Sequence, residues 1–128
     1  MKTASCLCGA VAFEIDGPMG PVTACHCSQC RKMTGNYWAS FHVADADLKF
    51  TKKDGLKWFV SSDFAKRGFC KECGSTLFWK KNDSSETSVC PGSIDGKTGL
   101  QLTEHIFVAD SGDYYQIAGG QFATPPGK

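Results

Sequence analysis

Seven of the eight cysteines in this chain fall into three tight groups: Cys6-x-Cys8-Gly9, Cys25-His26-Cys27-x-x-Cys30 and Cys70-x-x-Cys73-Gly74. Sulfurs separated by one or two residues are the means by which a small chain gathers donors for a soft divalent metal. Zinc takes four in a tetrahedron, at about 2.3 Å from each sulfur. Two pairs therefore complete one site, and the triplet supplies three of the four donors of another.

On an extended backbone, residues i and i+2 share a face. Cys6 and Cys8 can thus offer both sulfurs to one ion while Leu7 points away. Cys70-Lys71-Glu72-Cys73-Gly74 has the spacing of a zinc knuckle, shielded by Phe69 before it and Leu77-Phe78-Trp79 after it. Joining Cys6, Cys8, Cys70 and Cys73 gives a closed, structural zinc site that clips the N-terminal segment to the centre of the chain. Cys25 and Cys27 share a face if residues 22–27 are extended, and Cys30 returns from the following turn. Three sulfurs leave the fourth position to water, a substrate thiol or a side chain, the donor count of a catalytic zinc. The competing reading is a second structural site whose fourth ligand, Cys90 or a histidine, comes from far along the chain. A cysteine standing alone, as Cys90 does, more commonly packs as a small apolar residue.

Charge excludes some functions. Fourteen Lys and Arg against thirteen Asp and Glu give a formal charge of +1, with no basic stripe. Electrostatic binding to nucleic acid or to an anionic membrane is therefore not expected. Met1-Lys2-Thr3-Ala4-Ser5-Cys6 leads into no apolar run, so neither a signal peptide nor a membrane segment is expected. That points to the cytoplasm, where thiols stay reduced and free for metal. Four disulfides are the alternative, opposed by the strain of bridging cysteines one residue apart.

The chain reads as short β-runs punctuated by glycine, in a single domain with a core over about residues 3–120. Strands are predicted over 10–15, 37–43, 56–60, 75–80, 86–90 and 103–108, with Asp54-Gly55 as a hairpin signal. One short helix is predicted over 28–33, with Ser28 as N-cap and Gly35 as its end. The tail from Phe122 to Lys128 is expected to fray. The fold class is mainly β, with metal at one end.

Beside the triplet, Arg31 and Lys32 can offset thiolate charge or hold a carboxylate. His26 lies between two proposed ligands, so on an extended chain it faces away from the metal, toward an orienting or substrate-facing role. His105 alternates with apolar neighbours and could face a cleft; His42 reads as a strand histidine.

Taken together, Ser5-Cys6-Leu7-Cys8-Gly9-Ala10-Val11, Cys25-His26-Cys27-Ser28-Gln29-Cys30-Arg31-Lys32 with Gly35, and Arg67-Gly68-Phe69-Cys70-Lys71-Glu72-Cys73-Gly74-Ser75-Thr76-Leu77 are similar to one known pattern. With Gly92-Ser93-Ile94-Asp95 and His105-Ile106-Phe107-Val108, the chain resembles the glutathione-dependent formaldehyde-activating enzymes and the related centromere protein V-like proteins. The resemblance implies a β-tent zinc fold of antiparallel sheets. It implies a structural zinc on Cys6, Cys8, Cys70 and Cys73, and a second, labile or catalytic zinc on Cys25, Cys27 and Cys30. The implied activity is carbon–sulfur lyase chemistry on a thiol adduct such as S-hydroxymethylglutathione, with glutathione as the small-molecule partner. The alternative is a zinc-stabilised binding module with both sites structural. Tyr114-Tyr115 stands where many relatives are expected to carry a tryptophan, so the pocket wall departs from the pattern.

Overall fold

The computed structural model describes residues 1–117; the expectation of a frayed tail falls outside them. Its strands are β1 (Lys2–Ser5), β2 (Ala12–Ile15), β3 (Val22–Cys25), β4 (Trp38–Ala44), β5 (Leu48–Lys52), β6 (Leu56–Val60), β7 (Ala65–Cys70), β8 (Thr76–Lys81), β9 (Glu86–Val89) and β10 (Leu102–Ile106). The helix α1 spans Ser28–Thr34. The mainly-β expectation holds. The described chain divides into two compact units, one of Met1–Gly20 with Phe41–Gly99 and one of Pro21–Ser40 with the residues from Leu100 on.

In the first unit, β2 lies between β1 and β5 in an antiparallel three-stranded sheet. The order β9-β8-β7-β6 continues antiparallel from the Phe41–Ala44 half of β4. Alternation places Phe13 and Ile15 inward and Glu14 outward. Phe13 meets Phe50 and Phe78 at ring-centroid distances of 5.9 and 5.1 Å, and Phe50 meets Phe78 at 5.5 Å. Buried aromatic side chains of this size contribute on the order of 2–3 kcal/mol each.

Asp54-Gly55 does not close a hairpin, because β5 and β6 belong to different sheets. Gly55 serves a different need: a Cβ on it would sit 2.7 Å from the Cys70 sulfur and 2.8 Å from Ala10. A bare backbone is required so that this crossing can lie against the sulfur group. Strand β7 had no sequence signal, since Ala65-Lys66-Arg67-Gly68-Phe69-Cys70 does not alternate. It is paired on both sides, between β8 and the edge strand β6, and a register shift between Gly68 and Phe69 breaks its period.

In the second unit, β3 pairs antiparallel with the Trp38–Ser40 half of β4 and parallel with β10. The sheets are otherwise antiparallel as expected, and β3–β10 is the one parallel pair among the described residues. Parallel neighbours need a long connection, and here most of the chain lies between the two strands, beyond the reach of any local signal. The strand expected over 103–108 ends at Ile106, because Phe107 turns into the left-handed region with φ of 54°.

Candidate metal centres

The first sulfur group is built from two similar turns. Cys6 follows β1, and its carbonyl accepts from the Gly9 N–H at 3.3 Å; Cys70 ends β7, and its carbonyl accepts from the Gly74 N–H at 2.7 Å. Both glycines are left-handed, with φ of 83° and 80°, a conformation that other residues enter only with strain. Each Cys-x-x-Gly or Cys-x-x-x-Gly turn thus folds back over its own sulfurs. Cys8 Sγ lies 3.8 Å from Cys6 Sγ and 3.7 Å from Cys70 Sγ. The edge of a tetrahedron with metal–sulfur bonds of about 2.3 Å is about 3.8 Å, so the spacing fits zinc. All four sulfurs lie within 4.8 Å of one another.

Backbone and hydroxyl donors already face this group. The Val11 N–H reaches Cys6 Sγ at 3.3 Å. Burial raises the Cys6 thiol, but that amide and the neighbouring sulfurs bring it below its ordinary value. The Ser75 hydroxyl, 3.1 Å from Cys73 Sγ, and the Ser75 amide hold the Cys73 thiol down at about 5. The Ala10 amide pulls Cys8 down, yet desolvation and its three sulfur neighbours push it up to about 11. Four sulfurs this close compete for negative charge, and a divalent cation resolves that competition.

The triplet is assembled at the end of β3 and the start of α1. Cys25 is the last residue of β3, Cys27 precedes the helix and Cys30 lies buried in its first turn. Their sulfurs lie within 4.8 Å of one another. The N-cap is Cys27 rather than Ser28: its backbone is extended, and its sulfur accepts the Cys30 N–H at 3.4 Å. By capping the helix with its sulfur, Cys27 fixes Cys30 relative to itself. Gly35 closes α1 as expected, donating to the Arg31 carbonyl at 2.8 Å. Hydrogen bonding from Cys27 and Cys30 drives the Cys25 thiol far above its ordinary value, with burial adding to it. Three sulfurs cannot all be thiolates here unless a cation joins them, so this donor set too fits zinc.

His26 is fully buried and belongs to neither sulfur group. Its Nδ1 lies 2.6 Å from Tyr115 Oη and its Nε2 lies 3.0 Å from His105 Nδ1. Its N–H donates to the Ile106 carbonyl at 3.0 Å, which seats it on β10. Desolvation, and then the charge of His105, lowers its pKa, so the ring is neutral, one nitrogen donating and the other accepting. Desolvation raises the Tyr115 phenol, keeping it neutral beside His26 Nδ1. With His105 Nδ1–H donating to His26 Nε2, and His26 Nδ1–H to the Tyr115 oxygen, His105 Nε2 is left with a free lone pair as the terminus of the line.

The model of the glutathione-dependent formaldehyde-activating enzyme family matches residues 1–110. The chain belongs to that family. It is 24% identical, over 115 residues, to an uncharacterized lyase of Schizosaccharomyces pombe, covering 89% of this chain and 83% of that one. Its fold is similar to the crystal structure of a Rhodobacter sphaeroides protein, with a TM-score of 0.66 at 22% identity. That match covers 79% of this chain and 99% of the other.

Within this family member, the seven cysteines singled out by spacing come together as two groups of four and three. Cys90 is in neither; it sits half-buried after β9, and burial raises its thiol. His42 is exposed on β4, where its Nδ1 lies 3.2 Å from Ser88 Oγ in a cross-strand pair. Arg31 Nε and Trp38 Nε1 are buried without a hydrogen-bond partner among the described residues, and Trp38 stands opposite Cys25 in register. Lys32 is exposed on α1. Tyr115 is the residue that sequence reasoning placed only in the pocket wall, without its hydrogen bond to His26. It lies beyond the 110 residues that the family model matches, and only the approach of its loop to His26 reveals its part. The one available signal was the Tyr114-Tyr115 pair itself.

No helix among the described residues is long and apolar enough to cross a membrane.

Proposed function

We propose that this chain is a zinc-dependent carbon–sulfur lyase of the cytoplasm, acting on an adduct of a small thiol such as S-hydroxymethylglutathione. The observation that carries the reading is the pairing of a three-sulfur group with the Tyr115–His26–His105 hydrogen-bonded line. Cys25, Cys27 and Cys30 would hold the ion, and Cys6, Cys8, Cys70 and Cys73 would hold a structural one. Bound zinc supplies a Lewis acid that favours the thiolate form of a thiol near neutral pH.

In the cleavage direction the hydroxymethyl carbon–sulfur bond breaks, its electron pair goes to sulfur, and the carbon becomes the carbonyl of formaldehyde. The hydroxyl must lose a proton as this happens. His105 Nε2 is the acceptor that the line presents. His105 Nδ1–H hydrogen-bonds to His26 Nε2, and Tyr115 holds the His26 ring in turn, so that His105 Nε2 is held in place to take the proton, a contribution of about 100-fold or more for a positioned acid–base group. In the condensation direction the same atoms return it to the developing alkoxide. The buried, unpartnered Arg31 Nε supports a role in holding a carboxylate of the tripeptide.

The test measures zinc per chain by native mass spectrometry, with and without excess glutathione, together with S-hydroxymethylglutathione turnover. The expected result is two zincs in the wild type and one in Cys25→Ser. Glutathione should load onto or loosen only the second zinc, and turnover should vanish in the variant. Two tightly held zincs, indifferent to thiols and with no turnover, would make the chain a zinc-stabilised binding module instead.

A further inference from the structure

A cleft lies in the first unit, on the face of the sheet that register assigns to Trp58, Lys66, Gly68, Phe78, Lys80 and Thr87. Trp58 is opposite Gly68, Gly68 is opposite Phe78, and Lys66 is opposite Lys80. Leu48 and Phe50 of β5 complete the walls of a cleft of about 210 Å³. An apolar cavity of about 150 Å³ admits benzene, so this one takes a single substituted ring. Its length along β7 keeps it away from the sulfurs: Lys66 is four residues from Cys70, about 13 Å at the rise of a strand.

The floor is aromatic and layered. Phe78 sits 5.5 Å from Phe50 and 5.9 Å from Trp58, centroid to centroid. Gly68 makes this possible, because a Cβ there would come within 2.9 Å of both the Trp58 and the Phe78 rings. Trp58 is only half-buried, so one part of its ring faces the cleft.

Two of the three charges around the cleft cancel. Asp45 is ion-paired with Lys80 and accepts the Thr87 hydroxyl at 2.6 Å. Lys80 also donates to the carbonyls of Ser84 and Glu86. Lys66 is different: its ammonium lies 4.4 Å from the centre of the Trp58 ring and, among the described residues, is in no ion pair. The cleft therefore presents an aromatic floor and one uncompensated cation at its edge. A cationic ligand would be repelled by Lys66, and a ring without charge would leave that ammonium unmatched.

We infer that this cleft binds a single-ring aromatic ligand carrying one anionic group, the ring lying on the part-exposed Phe50 and Trp58, which the buried Phe78 backs from beneath, and the anion meeting Lys66. The site is independent of the sulfur groups and of the lyase reading.

Titrating the zinc-loaded protein with phenylacetate, 2-phenylethylammonium and acetate tests it, with backbone amide and tryptophan indole NMR shifts as the readout. Phenylacetate should saturably shift the Trp58 indole and the amides of β7 and β8. Phenylethylammonium should bind about three- to fivefold more weakly, the range of one exposed ion pair, and acetate should shift nothing there. Lys66 is half-exposed, so Lys66→Glu keeps the fold and should reverse the order of anion and cation. Equal binding of the two ring compounds overturns the inference, as does an order unchanged by Lys66→Glu. So does the absence of saturable shifts, or shifts confined to residues around Arg31 and Trp38.

Discussion

Replacing Cys8 or Cys25 with serine breaks one sulfur group each, yet the two variants should differ in stability by a calculable amount. A metal clip stabilises partly by removing closure entropy from the unfolded chain, which grows as the logarithm of the loop it closes. Cys8 and Cys70 are 62 residues apart, whereas Cys25 and Cys30 are five apart. By the cross-link expression, the long loop is worth about 4 kcal/mol and the short one about 2 kcal/mol. The difference, about 2 kcal/mol, depends only on the logarithm of the two lengths. Neither substitution opens a large cavity, since Cys8 is exposed and Cys25 half-buried.

The assay is urea unfolding of the zinc-loaded wild type and both variants, followed by far-ultraviolet circular dichroism. With a slope of about 2 kcal/mol/M for a chain of this size, the Cys8→Ser midpoint should fall about 1 M below that of Cys25→Ser. A strong chelator should then lower the Cys8→Ser midpoint by about a further 1 M, the share of the remaining short loop. Equal midpoints, or a larger loss in Cys25→Ser, would refute the view that one group is the clip and the other a working site.

Tyr115→Phe removes only the hydroxyl that meets His26 Nδ1 at 2.6 Å. It should lower kcat about 100-fold and stability by about 1 kcal/mol, with KM and zinc content held. Steady-state kinetics with metal analysis checks this, and a change confined to KM would place Tyr115 in binding rather than proton handling. Asp45→Asn probes the other unit. Burial raises this carboxyl, but the Lys80 ammonium and the Thr87 hydroxyl outweigh it and hold it below its ordinary value. A depressed carboxyl contributes stability above its unfolded pKa of about 3.9, and that contribution is lost as pH falls through the folded value. The variant should therefore be less stable by about 1 kcal/mol or less at pH 7 and converge with the wild type below about pH 4, as thermal melts across pH would show.

How far the chain could be read in advance depended on the distance over which each signal acts. Strand β6 and the helix ending at Gly35 were legible because alternation and capping are local. Strand β7 was not, since a glycine and a register shift interrupt its period while its neighbours bury it. The Asp54-Gly55 turn misled for a related reason: the dipeptide fixes a bend, but not which sheet the next strand joins.

The sequence by itself determined the two sulfur groups. Soft donors at one- and two-residue spacing can be brought to one point by the backbone alone, so the division into four sulfurs and three was written in Cys6, Cys8, Cys25, Cys27, Cys30, Cys70 and Cys73. Only the tertiary structure decided what stands beside those sulfurs. His105 and Tyr115 lie 79 and 89 residues along the chain from His26, the middle of the line, and no spacing rule acts over that range. Their meeting depends on the parallel pairing of β3 with β10 and on the loop that follows. These are choices of packing, made by burial across the whole unit rather than by any neighbouring residue.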